Sequence, residues 1–360
     1  MNQNNPMQDT ELDKSPQWKL SFHLKAEDFL PASEEEKEDL VTLRESVNFW
    51  QDGIRRFRKN KLGMASFIVV LFMMFFAFVL PYFYPYNYYE QIRGSESLAP
   101  FEYSETEKAI MAEGGKVFPH IFGTDTLGRD IMARIMMGSR ISLLVGIVAS
   151  AIILVIGSIY GAVAAYFGGW VDTIMMRIVD IIYTVPDILL IILLSVTLKY
   201  PLQKLAEFPA FAWINKVGVG LISIFIVFSL LYWVSMARIV RSQVLTLKEL
   251  EYVSAAKALG ASHSRIIRKH LLTNCIGTLI VTTTLQIPSS IFTETFLSFL
   301  GLGVMAPMPS LGSLASAALD GLYTYPYRLF APAITISIII LAFNLFGDGL
   351  RDAFDPKLKD

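Results

Sequence analysis

The chain has 360 residues, 53% of them hydrophobic and 18% charged, with a formal net charge of -1 and a mean hydropathy of +0.47. A soluble domain of this length buries an adequate core with far less apolar sequence, so the excess points to lipid as the solvent. The charge balance excludes a strongly basic nucleic-acid binder, and a single cysteine, Cys275, excludes an intramolecular disulfide scaffold.

Residues 1–42 are polar and acidic, with the run Glu34, Glu35, Glu36, Glu38 and Asp39. They predict a solvated, partly disordered cytoplasmic tail. No apolar stretch of signal-peptide type lies near Met1, so no cleaved leader is expected. The segment 43–60 predicts an amphipathic helix on the inner membrane surface, with Trp50, Ile54 and Phe57 toward lipid and arginines toward headgroups. Six stretches are long and apolar enough to cross a hydrocarbon core, at about 63–84, 141–167, 174–198, 217–240, 275–299 and 330–350. Their runs are continuous rather than alternating, which predicts an all-α integral membrane protein and not a barrel. The expected parts are a tail (1–42), a surface helix plus first span (43–85), an outer loop (86–138), a five-helix core (139–352) and a C-terminal end (353–360). The core contains a polar loop at 241–274.

Lysine and arginine set the orientation. With the N-terminus inside, the inner connectors 51–63, 168–177, 238–275 and 351–360 carry sixteen basic residues, and the outer ones, 84–140, 199–217 and 298–330, carry ten. Both termini are therefore expected in the cytoplasm. The outer stretch "GTDTLGRD" alternates charge at Asp125, Arg129 and Asp130. These three either organise an extracytoplasmic docking mouth or hold the loop together by their own ion pairs.

In the second span Gly146, Ser150, Gly157, Gly161 and Ala165 form a small-residue face for close helix packing. Pro186, Pro288 and Pro332 are expected to bend later spans or free backbone carbonyls. Ionisable groups within spans mark a cavity or a partner. Arg177 and Asp180 are spaced for an intrahelical pair. Asp187 and Glu294 lack a local partner and are the pathway candidates, although Glu294 could equally bond a neighbouring helix. The sequence has no Walker loop, no H-E-x-x-H and no G-x-S-x-G. His23, His120, His263 and His270 lie outside metal-ligand spacing. Catalysis, a metal and a cofactor bound by this chain are not expected, so energy for uphill transport would come from an ion gradient or another subunit.

The segment "EYVSAAKALGASHSRIIRKH" (251–270) belongs to no span. Leu250, Val253, Ala256 and Leu259 recur at helical spacing. Gly260 is suited to end that short helix, and Ser262 to cap a second one. A helix of about nine residues is marginal alone and needs a surface to lie in.

"AAKALG" (255–260), followed by Ile266 and "HLL" (270–272), resembles the "EAA" loop of bacterial ABC importer permeases. Ser254 stands where that motif has Glu, with Glu251 one turn earlier, and Thr273 stands where it has Pro. "FGTDTLGRDIMARIMMGSRISLLVG" (122–146), "MRIVDIIYTVPDILL" (176–190), "TETFLSFLGLGVMAPMPSLGSL" (293–314) and "RRFRKNKLGMASFIVVL" resemble C-type permeases of peptide and nickel importers, over about 43–356 in order. The resemblance implies the type I ABC importer permease fold, with 251–260 as a cytoplasmic coupling helix. Its ATPase contacts would come from Glu251, Ser254, Ala255, Ala256, Leu259, Gly260 and Ile266, with Ala255, Ala256 and Gly260 on the contact side. It also implies a heterodimer with a B-type permease, two ATPase subunits that hold ATP and Mg, an extracytoplasmic binding protein, and a bacterial inner membrane. Oligopeptides or dipeptides are the expected substrates, with nickel or another metal chelate as the alternative. Two competing readings are a secondary transporter, which predicts an internal inverted repeat, and an intramembrane enzyme, which needs a base at the depth of its nucleophile.

Overall fold

The structure is a computed structural model that describes residues 49–304 and 306–354. The acidic tail 1–42 and all but the first two residues of the C-terminal end lie outside the described residues. Among the described residues every regular element is helical, and the one β-type pairing is an isolated bridge between Thr124 and Asp130. Six helices are long and apolar enough to cross a membrane: 61–82, 131–167, 187–206, 219–247, 263–299 and 327–354.

Helix α1 (Phe49–Lys59) precedes α2 (Lys61–Phe78), and Asn60 between them caps α2 by accepting the Gly63 N–H at 3.0 Å. The expectation that Phe57 faces lipid is corrected. Trp50 and Ile54 are exposed, but Phe57 turns inward, its ring edge-on to Phe346 at 5.7 Å. Gly53 makes this possible, because any side chain there would strike the Phe354 ring.

After the outer loop and its short helix α3 (Glu105–Ala112) comes α4 (Ile131–Phe167), 37 residues long. The small-residue face of α4 is buried as expected, in two parts. Gly146 meets Ile287 and Ile291, whereas Gly157 and Gly161 receive Trp233, Met236 and the Ala237 carbonyl. The third span differs from its prediction. One span over 174–198 was expected, but Pro186 divides the segment into α5 (Gly169–Thr184) and α6 (Asp187–Ala206). Proline lacks an N–H and disfavours helical backbone before it, and Val185 is indeed extended. Pro288 and Pro332 instead lie inside continuous helices.

The short α7 (Trp213–Val217) leads into α8 (Val219–Leu231) and α9 (Trp233–Leu247), which together form the fourth span. The remaining helices are α10 (Glu251–Ala258), α11 (Ile276–Phe299), α12 (Leu311–Ala317) and α13 (Tyr327–Phe354). One buried core joins α2, α4, α11, α12 and α13; another joins α4, α6, α8 and α11.

The connectors gather at two ends of the bundle. At one end the Phe49 and Phe354 rings lie 5.4 Å apart and Gly277 packs beside them. The Lys248 ammonium donates to the Ala165 carbonyl at 3.1 Å at that same end. At the other, Tyr327 donates to the Leu98 carbonyl at 2.8 Å and the Arg140 guanidinium to the Ala77 carbonyl at 2.9 Å.

Candidate functional site

The eight residues of α10 span about 12 Å and would not persist alone. Val253, Ala256 and Ile266 anchor them in a core with Val240 and Val244 of α9 and Ala162 and Ala165 of α4. Val253 and Ile266 are fully enclosed, and each contributes about 1.5–3 kcal/mol by burial. Gly260 ends the helix at φ +77 with open space around it, a backbone that side chains other than glycine adopt at a cost. Ser262 then caps the next turn by accepting the Arg265 N–H. The chain continues to α11 through π-helical (Ile266–Leu271) and 3-10 (Leu272–Cys275) turns instead of the plain helix expected.

The expected contact side is corrected at Ala256 and Ile266, which face the bundle's own core. The outward face carries Glu251, Ser254, Ala255, Leu259 and Gly260, and Leu259 is 88% exposed.

Two ion pairs join α9, on which α10 packs, to α5. Asp172 of α5 is held bidentately by Arg241 of α9, both contacts at 2.6 Å. This pairing keeps the Asp172 carboxyl below the usual carboxylate range. Eight residues on, Asp180 accepts from Arg238 at 2.8 Å, and that guanidinium also lies 4.1 Å from the Tyr183 ring centre. The intrahelical Arg177–Asp180 pair expected from spacing does not form, because Asp180 points at α9. Just beyond, a cavity of about 500 Å³ opens beside the α5–α6 break, lined by Tyr183, Asp187, Tyr232, Ser235, Gln286 and Ser289 among others.

The two pathway candidates separate. Asp187 lines this cavity. Glu294 is fully enclosed; it accepts hydroxyl hydrogen bonds from Ser142 of α4 at 2.6 Å and Ser298 at 2.7 Å. It is the interhelical bond that the sequence left open as an alternative.

The outer charges resolve likewise. Asp125 accepts the N–H groups of Leu127 (2.8 Å) and Arg129 (3.0 Å), the Arg129 side chain at 2.7 Å, and Arg134. Burial alone would raise its carboxyl, but these N–H groups and guanidiniums hold it below the usual range. Gly128 turns this loop at φ +71 with its α-carbon against the Ile92 carbonyl, leaving no room for a side chain. Asp130 is 1% exposed. It caps α4 through the Ala133 N–H at 2.7 Å, and it accepts from Tyr84 at 3.3 Å.

Sequence reading missed the buried group that completes this cap. His120, fully enclosed, lies 2.7 Å from Asp130 and 3.1 Å from Glu107 of α3, with the Tyr86 ring stacked at 4.3 Å. Burial works against its charge, but the Asp130 and Glu107 carboxylates prevail and raise its pKa. Burial and those same carboxylates push the Tyr86 hydroxyl up to about 12. No local spacing signals this trio, since its members lie 10 and 13 residues apart. Asp172, Arg238 and Arg241 were missed for the same reason, as each partner is on another helix.

A bundle of six helices long and apolar enough to span a membrane, with a short helix packed on α9 and α9 ion-paired to α5 beside a cavity, has the architecture of a membrane permease component. Residues 153–360 match the profile described as binding-protein-dependent transport system inner membrane component, and residues 48–100 match the N-terminal TM domain of oligopeptide transport permease C. The chain belongs to this binding-protein-dependent permease family and has its type I ABC importer fold. It is 42% identical over 316 residues to the oligopeptide transport system permease protein OppC of Bacillus subtilis, covering 88% of this chain and 92% of that one. It is also 42% identical over 335 residues to the dipeptide transport system permease protein DppC of the same organism, covering 92% and 93%. The glutathione transport system permease protein GsiD of Pectobacterium atrosepticum is 34% identical over 313 residues, covering 86% and 92%.

Proposed function

We propose that the chain forms half of the translocation pathway of an ATP-driven importer of oligopeptides or dipeptides. A B-type permease supplies the other half, two ATPase subunits carry ATP and Mg, and an extracytoplasmic binding protein delivers the peptide. The end bearing α1, α10 and the C-terminus of α13 faces the cytoplasm of a bacterial cell, as the basic connectors favour.

The observation that carries this reading is the connected route from α10 to the cavity. The outward face of α10, with Glu251, Ser254, Ala255, Leu259 and Gly260, seats in a groove of one ATPase. Val253 and Ala256 fix α10 to α9, and Arg241 and Arg238 fix α9 to α5. The end of α5 forms one wall of the cavity. When the ATPases close, displacement of α10 becomes rigid-body tilting of that wall. The names of the relatives support peptides as cargo. Asp125 and Arg129 stiffen the outer surface where the binding protein lands, and Asp130 acts from within.

Two neighbouring alanines test the coupling face. Ala255→Glu overpacks the ATPase contact, which costs about 1–3 kcal/mol, so the ATPases should co-purify about tenfold more weakly while the permease pair stays assembled. Ala256→Glu drives a charge into the permease's own core and should reduce the yield of folded permease itself. Full ATPase retention and full peptide transport in Ala255→Glu would sink the docking face.

A further inference from the structure

We propose that Asp187, with the polar wall opposite it, forms a mid-span subsite for the protonated amine of the transported peptide. This inference rests on the import reading above and goes further by naming a recognition group inside the membrane.

Depth is fixed by the neighbouring helices. Tyr232 lies near the middle of the helix 219–247, and Gln286 and Ser289 lie near the middle of α11. All three line the same cavity as Asp187, so the carboxylate lies level with the middles of those two helices, at the break that begins α6. An ionised side chain at that level is expensive and belongs to a function or a partner. Among the described residues no lysine, arginine or histidine pairs with it; its one hydrogen bond comes from the N–H of Ile188, at 3.0 Å. The nearby arginines are committed, Arg238 to Asp180 and Arg241 to Asp172.

Pro186 interrupts the span so that Asp187 is the first residue of α6, a 20-residue helix. The helix dipole at that terminus, and the Ile188 N–H that Asp187 accepts, favour negative charge there. An anion stabilised by its own helix and facing a water-accessible cavity is complementary to a cation that arrives and leaves. Every unblocked peptide brings one, its terminal ammonium, with a pKa of about 8. The opposite wall adds Ser235, Gln286 and Ser289, which can donate to or accept from a peptide backbone whatever its side chains. About 500 Å³ lies within the range that encloses small ligands, roughly 300–1,000 Å³. An ammonium contact plus backbone hydrogen bonds would hold a short peptide without reading its sequence.

The test uses the whole complex in proteoliposomes, with radiolabelled tetra-alanine delivered by the binding protein, and reads peptide accumulated per ATP hydrolysed. Asp187→Asn should lower that ratio about tenfold while loaded binding protein still stimulates hydrolysis. Asp187→Glu should stay within about twofold of the parent. An unchanged ratio in Asp187→Asn overturns the subsite. So does an equal fall in peptide-free hydrolysis and in assembly that Glu does not rescue, because the carboxylate then pairs with a cation of the second permease. Absence of uptake of both tetra-alanine and dialanine by the unaltered complex, with ATP still hydrolysed, refutes peptide import itself.

Discussion

Replacing His120 with leucine preserves much of the side-chain volume but withdraws both ring nitrogens from two buried carboxylates. Asp130 would keep the Ala133 N–H and the Tyr84 hydroxyl, and Glu107 would keep the Ser104 N–H at 2.8 Å. Each acid retains partial satisfaction, so the cost falls near the lower end of the range for breaking a buried pair, about 3 kcal/mol. Because α3 and the loop around His120 are joined to α4 through this contact, the loss should appear as local opening of residues 84–130 with the bundle intact. Three kcal/mol raises the open fraction roughly a hundredfold. Limited proteolysis of the purified complex, normalised to a small peptide substrate, measures that fraction. The sign with pH follows from the raised histidine. The ion-pair contribution is complete below the ordinary pKa of about 6.5 and is lost as pH climbs through the raised value. The unaltered protein should therefore be cleaved faster in the outer loop on the alkaline side, and His120→Leu should be fast at every pH. A cleavage rate within threefold of the parent, with the parent's pH dependence intact, would refute the reasoning.

Arg241→Met should leave the complex assembled but reduce peptide transported per ATP severalfold, because α9 then moves without α5; equal coupling in the variant would exclude this route. The exchanged pair, Asp172→Arg with Arg241→Asp, should recover part of the loss. Cysteine labelling in a Cys275→Ala background should place residues 31, 170 and 262 inside and residues 105 and 318 outside, and reaction of residue 262 from outside intact cells would reverse the proposed orientation.

What the sequence made legible was periodic or local. Six spans show as continuous apolar runs, the packing face of α4 shows as small residues at helical intervals, and the turn at Gly260 and the cap at Ser262 are single-residue signals. The division at Pro186 was half legible, since the proline is visible but its choice between bending and breaking depends on neighbours. Pro288 and Pro332 sit in unbroken helices. Burial direction on a short helix was not legible. Ala255 and Ala256 are chemically identical, and only the packing of α10 on α4 and α9 decides which one faces outward. Charge partners across helices were invisible for the same reason. Asp180 has Arg177 at the right spacing, yet its counter-charge comes from Arg238, 58 residues away.

Helix α4 has 37 residues and is about 55 Å long, whereas the hydrocarbon layer is about 30 Å thick. It is therefore a strut through the full height of the protein, and its fastenings run along its whole length. Asp130 at its start holds the outer cap. Ser142 and Gly146 grip α11, Gly157 and Gly161 seat α9, and Ala165 and Tyr166 reach Lys248 and His263 on either side of α10. A body braced in this way cannot tilt at one face of the membrane and stay still at the other. In the proposed complex, the arrival of cargo outside and the stroke of the ATPases inside would therefore act on opposite ends of the same beam.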